Sequence, residues 1–225
     1  MKKTFAALAV AAALIPFSSA QADVISYTAT QAMKTTNWNE PLSFNKFDSA
    51  LGTLTGITFN LSGTVQGEGK AESLDSAPSL VTLTLGSQLT LRRPDGSTLV
   101  VANPLFNQSY NFGAFDDDLD FAGESGASTG TVQATGSDFF TSNASSDFAL
   151  FSGLAGDLIS LGLGAVGSAM GSGAGNLITQ FNTSASGTAT ITYEYTPFAE
   201  VPEPASMALI LGGLGLLGLS RRRVK

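Results

Sequence analysis

Residues 57–65 read Ile-Thr-Phe-Asn-Leu-Ser-Gly-Thr-Val, a stretch in which apolar and polar side chains alternate. Successive side chains of a β-strand point to opposite faces, so this alternation predicts a strand with one buried and one hydrated face. The pattern recurs at 81–91 and at 189–196, again with threonine on the polar side. Strands that are buried on one face only are typical of antiparallel sheets.

Turn-forming segments separate the predicted strands. Residues 92–97 read Arg-Arg-Pro-Asp-Gly-Ser and predict a hairpin turn, because proline presets one turn position and glycine accepts a positive φ. Five glycines between 150 and 170 argue against a helix there, at about 0.8–1 kcal/mol each. We expect a strand at 157–163 and then a loop up to Asn176. The body, residues 23–200, is predicted to be an all-β antiparallel sandwich or jelly-roll-like domain.

The N-terminus has the three parts of a secretion signal. Two lysines precede an apolar run over 5–15, and small residues stand at Ala20 and Ala22. We therefore predict a signal peptide over 1–22, helical in its apolar part. Signal peptidase is expected to cut between Ala22 and Asp23.

The C-terminal segment 201–225 combines a short motif, an apolar run and a basic end. The apolar run 205–219 is 15 residues long, and as a helix it would span about 22 Å, whereas a stable bilayer anchor needs about 20 residues. The basic end would stop translocation on the cytoplasmic side. A plain single-span tail anchor with a proline stalk is the alternative. The motif residues are Pro202, Glu203 and Pro204, and the membrane-stop residues are Arg221, Arg222 and Arg223.

This C-terminal segment resembles the PEP-CTERM sorting signal of Gram-negative bacteria that make exopolysaccharide. The resemblance implies export, a transient transmembrane helix in the inner membrane, and processing by exosortase at or near 202–204. It also implies a final location on the outer surface or in the extracellular matrix, where exopolysaccharide is the expected partner.

A second resemblance concerns the body. Segments 38–54, 118–126 and 175–195 contain short pieces that resemble the choice-of-anchor E domain, including Leu-Ser-Phe-Asn-Lys-Phe-Asp at 42–48. That family consists of extracellular β domains carried on varied surface anchors. The resemblance implies a location and a fold, and it implies no activity.

Charge and composition exclude several functions. Five basic and seventeen acidic residues between 23 and 200 give a net charge of −12, which excludes a cationic surface for nucleic acid. The chain contains no cysteine and no histidine, so it cannot form a Ser-His-Asp triad or a zinc site with His or Cys ligands. We expect no enzyme activity and no cofactor apart from a calcium ion.

The calcium prediction rests on Asp116, Asp118 and Asp120, which have the alternate spacing of an EF-hand loop. Phe121 stands where that loop needs glycine, and Ala127 where it needs glutamate, so a true EF-hand is excluded. Another type of calcium site, with help from Glu124, is one interpretation. A solvated loop is the other.

Three functions remain open at this point. The first is a non-catalytic surface or matrix protein, a structural component of an exopolysaccharide or biofilm layer. The second is a calcium-assisted carbohydrate-binding module on the cell surface. The third is a secreted hydrolase built on paired carboxylates, for which the single tryptophan offers little support.

Overall fold

A computed structural model describes residues 22–198. The predicted helices of the signal peptide and of 205–219, and the residues at 202–204 and 221–223, lie outside these described residues. No helix within 22–198 has the length and apolar character that a bilayer crossing requires. The elements are β1 (Asp23–Thr35), β2 (Trp38–Asn45), β3 (Phe47–Asp48), β4 (Gly52–Ser73), β5 (Ser79–Arg92), β6 (Thr98–Ala102), β7 (Leu105–Phe112), β8 (Gly126–Ser128), β9 (Val132–Ser142), α1 (Ser145–Phe151), β10 (Ser152–Gly153), β11 (Leu158–Ser172) and β12 (Leu177–Pro197).

The long strands form two antiparallel sheets that pack face to face, as predicted from the alternating pattern. Sheet A has the order β1-β12-β4, and both β8 and β9 pair with the far side of β4. Sheet B has the order β2-β11-β5, and both β6 and β7 pair with the far side of β5. The two-residue strands β3 and β10 pair in parallel. One large cluster of buried side chains draws on both sheets and forms the main core.

Strand β4 contains the stretch 57–65, and its side chains alternate between the core and the surface as predicted. Phe59 and Leu61 are buried and lie opposite Ile191 and Ala189 of β12. The register shifts once, where Thr55 has no partner in β12 and donates its hydroxyl to the Glu194 carbonyl at 3.0 Å. This extra residue is a β-bulge, and it lets residues 54 and 57 both face the core despite their odd spacing.

A row of glycines crosses sheet A at its centre. Gly187, Gly63 and Gly136 are direct cross-strand neighbours on β12, β4 and β9. A Cβ atom added at Gly63 would lie 2.6 Å from Leu89 Cδ1, and one at Gly187 would lie 2.8 Å from Leu89 Cδ2. Leu89 of sheet B therefore fills the space that the two missing side chains leave, and the sheets approach closely at this row.

The loop expected up to Asn176 is wrong, because β11 continues as a regular strand to Ser172. The inward-facing residues of β11 after Leu163 are alanines and glycines, and the glycines lie very close to side chains of other segments. A Cβ at Gly167 would lie 2.6 Å from Thr36 Oγ1, and one at Gly171 would lie 2.6 Å from Thr179 Cγ2. The glycines are places of close approach between elements. The hairpin at 92–97 is confirmed, with Gly96 at φ 85°.

One partly buried ion pair joins the two sheets beside this hairpin. Arg93 binds Asp147 of α1 through Nε and Nη2, each 2.8 Å from a carboxylate oxygen. Ser142, at the end of β9, donates its hydroxyl to the same carboxylate at 2.5 Å. The hydrogen bonds from Arg93 and Ser142 hold the pKa of Asp147 below its ordinary value of 3.8, although burial opposes them.

We expect Arg93→Met to lower the free energy of unfolding by about 3 kcal/mol at neutral pH, since it leaves the buried Asp147 carboxylate unpaired. The lowered pKa means that the native pair contributes stability above pH 3.8 and loses it as the pH falls through the folded-state pKa. The difference in the free energy of unfolding between wild type and variant should therefore become smaller at acidic pH. Urea unfolding from pH 3 to pH 7 measures it.

Arg92→Met is the matched control, because Arg92 is exposed and binds the Gly96 carbonyl and the Thr98 hydroxyl within its own hairpin. An equal loss of stability in both variants would contradict the role given to the ion pair.

Candidate functional site

The long strands separate the described domain into two ends. Strand β12 extends for 21 residues from Leu177 to Pro197, which corresponds to about 70 Å. The end that contains Asp23 and Pro197 is called the terminal pole. The opposite end, which contains residues 72–79, 112–126 and 173–177, is called the distal pole.

The predicted signal-peptidase junction lies at the terminal pole. Asp23 is the first residue of β1 and pairs with Tyr195 of β12. The Tyr195 hydroxyl donates to Asp23 Oδ2 at 3.1 Å, and the pKa of that hydroxyl is raised by desolvation and by the nearby carboxylate. Ala22 is exposed and precedes the strand, so the Ala22–Asp23 bond lies outside the ladder.

The other end of the described chain also leaves at the terminal pole. Phe198 donates its backbone N–H to the Leu51 carbonyl at 3.3 Å and is the last described residue. Three residues, 199–201, separate it in sequence from Pro202. Both predicted processing segments are thus continuous in sequence with strand ends at one pole.

The acidic run lies in the connection between β7 and β8, at the distal pole. Asp116, Asp118 and Asp120 are exposed. Asp116 accepts the Asp118 backbone N–H at 3.2 Å, and this hydrogen bond is the main cause of the lowered pKa of Asp116. Asp120 accepts the Ala122 N–H at 2.8 Å. Within residues 22–198 no three carboxylates gather into a group that could hold a metal ion, and calcium binding stays a prediction.

The residue that fixes this loop is Glu72, which the sequence reasoning missed. Its side chain is fully buried, and its oxygens accept the Ser125 hydroxyl at 2.6 Å and the Phe121 N–H at 2.7 Å. Gly126 passes so close that an added Cβ would lie 2.2 Å from Glu72 Oε2. Phe121 takes a positive φ of 58° next to this contact.

The alternation of β4 could not reveal that role. Position 72 falls on the hydrated side of the pattern, where a glutamate predicts an exposed charge. The loop 113–126 folds back over this side and covers the carboxylate, which only the path of a distant segment decides.

The described residues form an antiparallel β-sandwich, which is followed in sequence by the C-terminal segment 201–225. Residues 200–224 match the PEP-CTERM protein-sorting motif. This match confirms the resemblance in the last 25 residues, and the chain carries the sorting signal of exosortase substrates. The signal indicates export and a cell-surface or extracellular location.

No curated protein matches the chain. Among solved structures, the chain is similar to the structure of infectious bursal disease virus Gt strain, with 14% sequence identity and a TM-score of 0.13. The alignment covers 88% of this chain and 50% of the viral chain. The VP2 subviral particle of the same virus gives 14% identity, 91% and 51% coverage, and a TM-score of 0.14. The chain spans about half the length of these viral chains.

We expect Glu72→Ala to release the loop 113–126, because Ser125 and the Phe121 N–H lose their buried acceptor, at a cost of about 1–3 kcal/mol. Limited proteolysis with peptide mapping should show faster cleavage within 113–126. Asp118→Ala, which changes an exposed carboxylate of the same loop, serves as the control. Equal cleavage rates in Glu72→Ala and wild type would show that Glu72 does not hold the loop.

Proposed function

We propose that this chain is a non-catalytic structural component of the bacterial surface or extracellular matrix, associated with exopolysaccharide or biofilm. The observation that supports this proposal is the sorting motif at 200–224 attached to an extended β-sandwich. The body has a net charge of −12, which keeps copies of an exported protein apart in solution. Its lack of histidine and cysteine suits a role without chemistry.

In the proposed sequence of events, signal peptidase first cuts between Ala22 and Asp23. The tail then holds the protein briefly in the inner membrane of a Gram-negative cell, with the basic residues at 221–223 on the cytoplasmic side. Exosortase processes the chain at or near 202–204, and the body reaches the outer surface or matrix. A choice-of-anchor E domain is the proposed family of the body.

Processing is tested by intact mass and cell fractionation in the native host, for wild type beside Glu203→Ala. We expect a wild-type species that begins at Asp23, ends near 202–204 and fractionates with the envelope or matrix. The variant should keep its tail and remain in the inner membrane, because the residue between the two prolines is changed.

Ser206→Ala is the control, since it alters a neighbouring polar residue outside the motif. Wild-type protein that retains Arg221 to Lys225 in the inner membrane would establish a plain tail anchor and refute the sorting step.

A calcium-assisted carbohydrate-binding module is the alternative function. The exposed carboxylates of 116, 118 and 120 belong to one loop at the distal pole, although no three carboxylates gather into a metal-binding group within residues 22–198. Repulsion between such carboxylates is relieved by a bound cation.

This alternative predicts that millimolar calcium raises the melting temperature of the mature protein by several degrees. Asp118→Ala and Asp120→Ala should abolish the shift, and magnesium at the same concentration controls for ionic strength. A melting temperature that calcium leaves unchanged would eliminate this alternative.

A further inference from the structure

Phe139 is exposed to water on β9, an edge strand of sheet A, beside a polar sheet face. It lies on β9 directly opposite Asn60 of β4, and 66% of its surface is accessible. The adjacent Phe140 points to the other side, where its ring stacks on Phe59 with centroids 6.3 Å apart. Packing in the core therefore accounts for Phe140 and leaves Phe139 without a structural role.

A shallow hollow of about 420 Å³ lies beside Phe139 on the outer face of sheet A. Its size falls within the range of ligand sites. The side chains that line it carry an amide, several hydroxyls and one carboxylate at the rim: Asn60, Ser62, Ser137, Thr188, Thr190 and Asp138. An aromatic ring next to many hydrogen-bonding groups differs from an apolar groove for a helix or a lipid chain.

The hydroxyls of this face are held in fixed positions. Thr190 and Thr188 of β12 pair with Thr28 and Thr30 of β1, with oxygen–oxygen distances of 2.9 and 3.0 Å. They belong to a regular array with a period of about 6.7 Å along each strand and about 4.8 Å between strands. A ligand therefore meets donors and acceptors that lose little conformational entropy on binding.

The outward-facing residues of this face are uncharged over five successive rows of the array, and the Asp138 carboxylate at the hollow belongs to an inward position of β9, opposite Leu61. Its outward residues are Thr58, Asn60, Ser62, Thr64 and Gln66 on β4, Ser184, Ser186, Thr188, Thr190 and Thr192 on β12, and Gln133, Thr135, Ser137, Phe139 and Thr141 on β9. The body nevertheless has a net charge of −12, located elsewhere. An anionic ligand is repelled by that charge, and a cationic ligand finds one carboxylate at the rim.

We propose that this face binds internal segments of a neutral polysaccharide, with Phe139 as its aromatic contact. A sugar ring offers an apolar C–H face, which an aromatic side chain covers, and hydroxyls that the amide and hydroxyl groups can bind. The five rows extend for about 27 Å along the strands, a length that accommodates an extended segment of a polymer chain. This inference rests on the proposed function, because it names the partner that would retain the sorted protein.

The test is affinity electrophoresis of the processed protein from the native host, in gels that contain the neutral fraction of the polysaccharide secreted by that host. Phe139→Ala should raise the dissociation constant about tenfold, because it removes the aromatic contact with the sugar ring. Asn60→Ala should also raise the dissociation constant. The melting temperature of Phe139→Ala should remain at the wild-type value, because the side chain is exposed.

Val166→Ala is the matched control, since Val166 is 59% exposed on the outer face of sheet B. Wild-type protein that the neutral fraction does not retard overturns the inference, as does an equal loss in the control variant. Retention by the anionic fraction alone also overturns it. The mass of the same purified protein reports processing separately, so correct processing without binding refutes this inference and leaves the sorting proposal intact.

Discussion

The close approach of the two sheets along the pairing of β4 with β12 is the constraint on which the rest of the structure depends. These strands pair over 21 residues of β12, and the row through Gly63 and Gly187 leaves a depression that Leu89 of sheet B fills. A side chain at either glycine would push the sheets apart, because Leu89 is itself fully buried. The length of this ladder also fixes the distance between the two poles.

Two polar contacts then close the sandwich at places where the ladders end. The pair of Arg93 and Asp147 joins the hairpin of sheet B to the helix that follows β9, and Glu72 holds the acidic loop over sheet A. Both place a carboxylate among buried groups and satisfy it with hydrogen bonds, which the low dielectric of the interior demands. Each contact joins residues about fifty positions apart, so it restrains loops that their own sequences would leave mobile.

Charge is distributed unevenly over this domain, and the distribution suits a protein that is sorted and then retained. Seven acidic residues lie at the distal pole, at 72, 75, 116–118, 120 and 124, and the outer face of sheet A has no outward ionisable residue over the five rows between 58 and 66 of β4. Repulsion between the acidic distal poles opposes association of copies, and the uncharged hydroxyl-rich rows are the proposed contact with an uncharged polymer. The sorting signal follows the terminal pole in sequence, which is also where β1 begins.

The sequence by itself determined the all-β antiparallel class, the hairpin at 92–97 and the C-terminal sorting signal. Each of these depends on local chemistry: period-two alternation, the turn preferences of proline and glycine, and the order of motif, apolar run and basic end. Only the tertiary structure decided that β11 continues to Ser172, that Glu72 is buried and that Phe139 lies beside a hollow. The glycines of β11 predict a loop when the sequence is read alone, because what requires them is the close approach of Thr36 in the β1–β2 turn and of Thr179 in β12. Such contacts join residues that are distant in sequence, and no local pattern encodes which distant segment covers a given side chain.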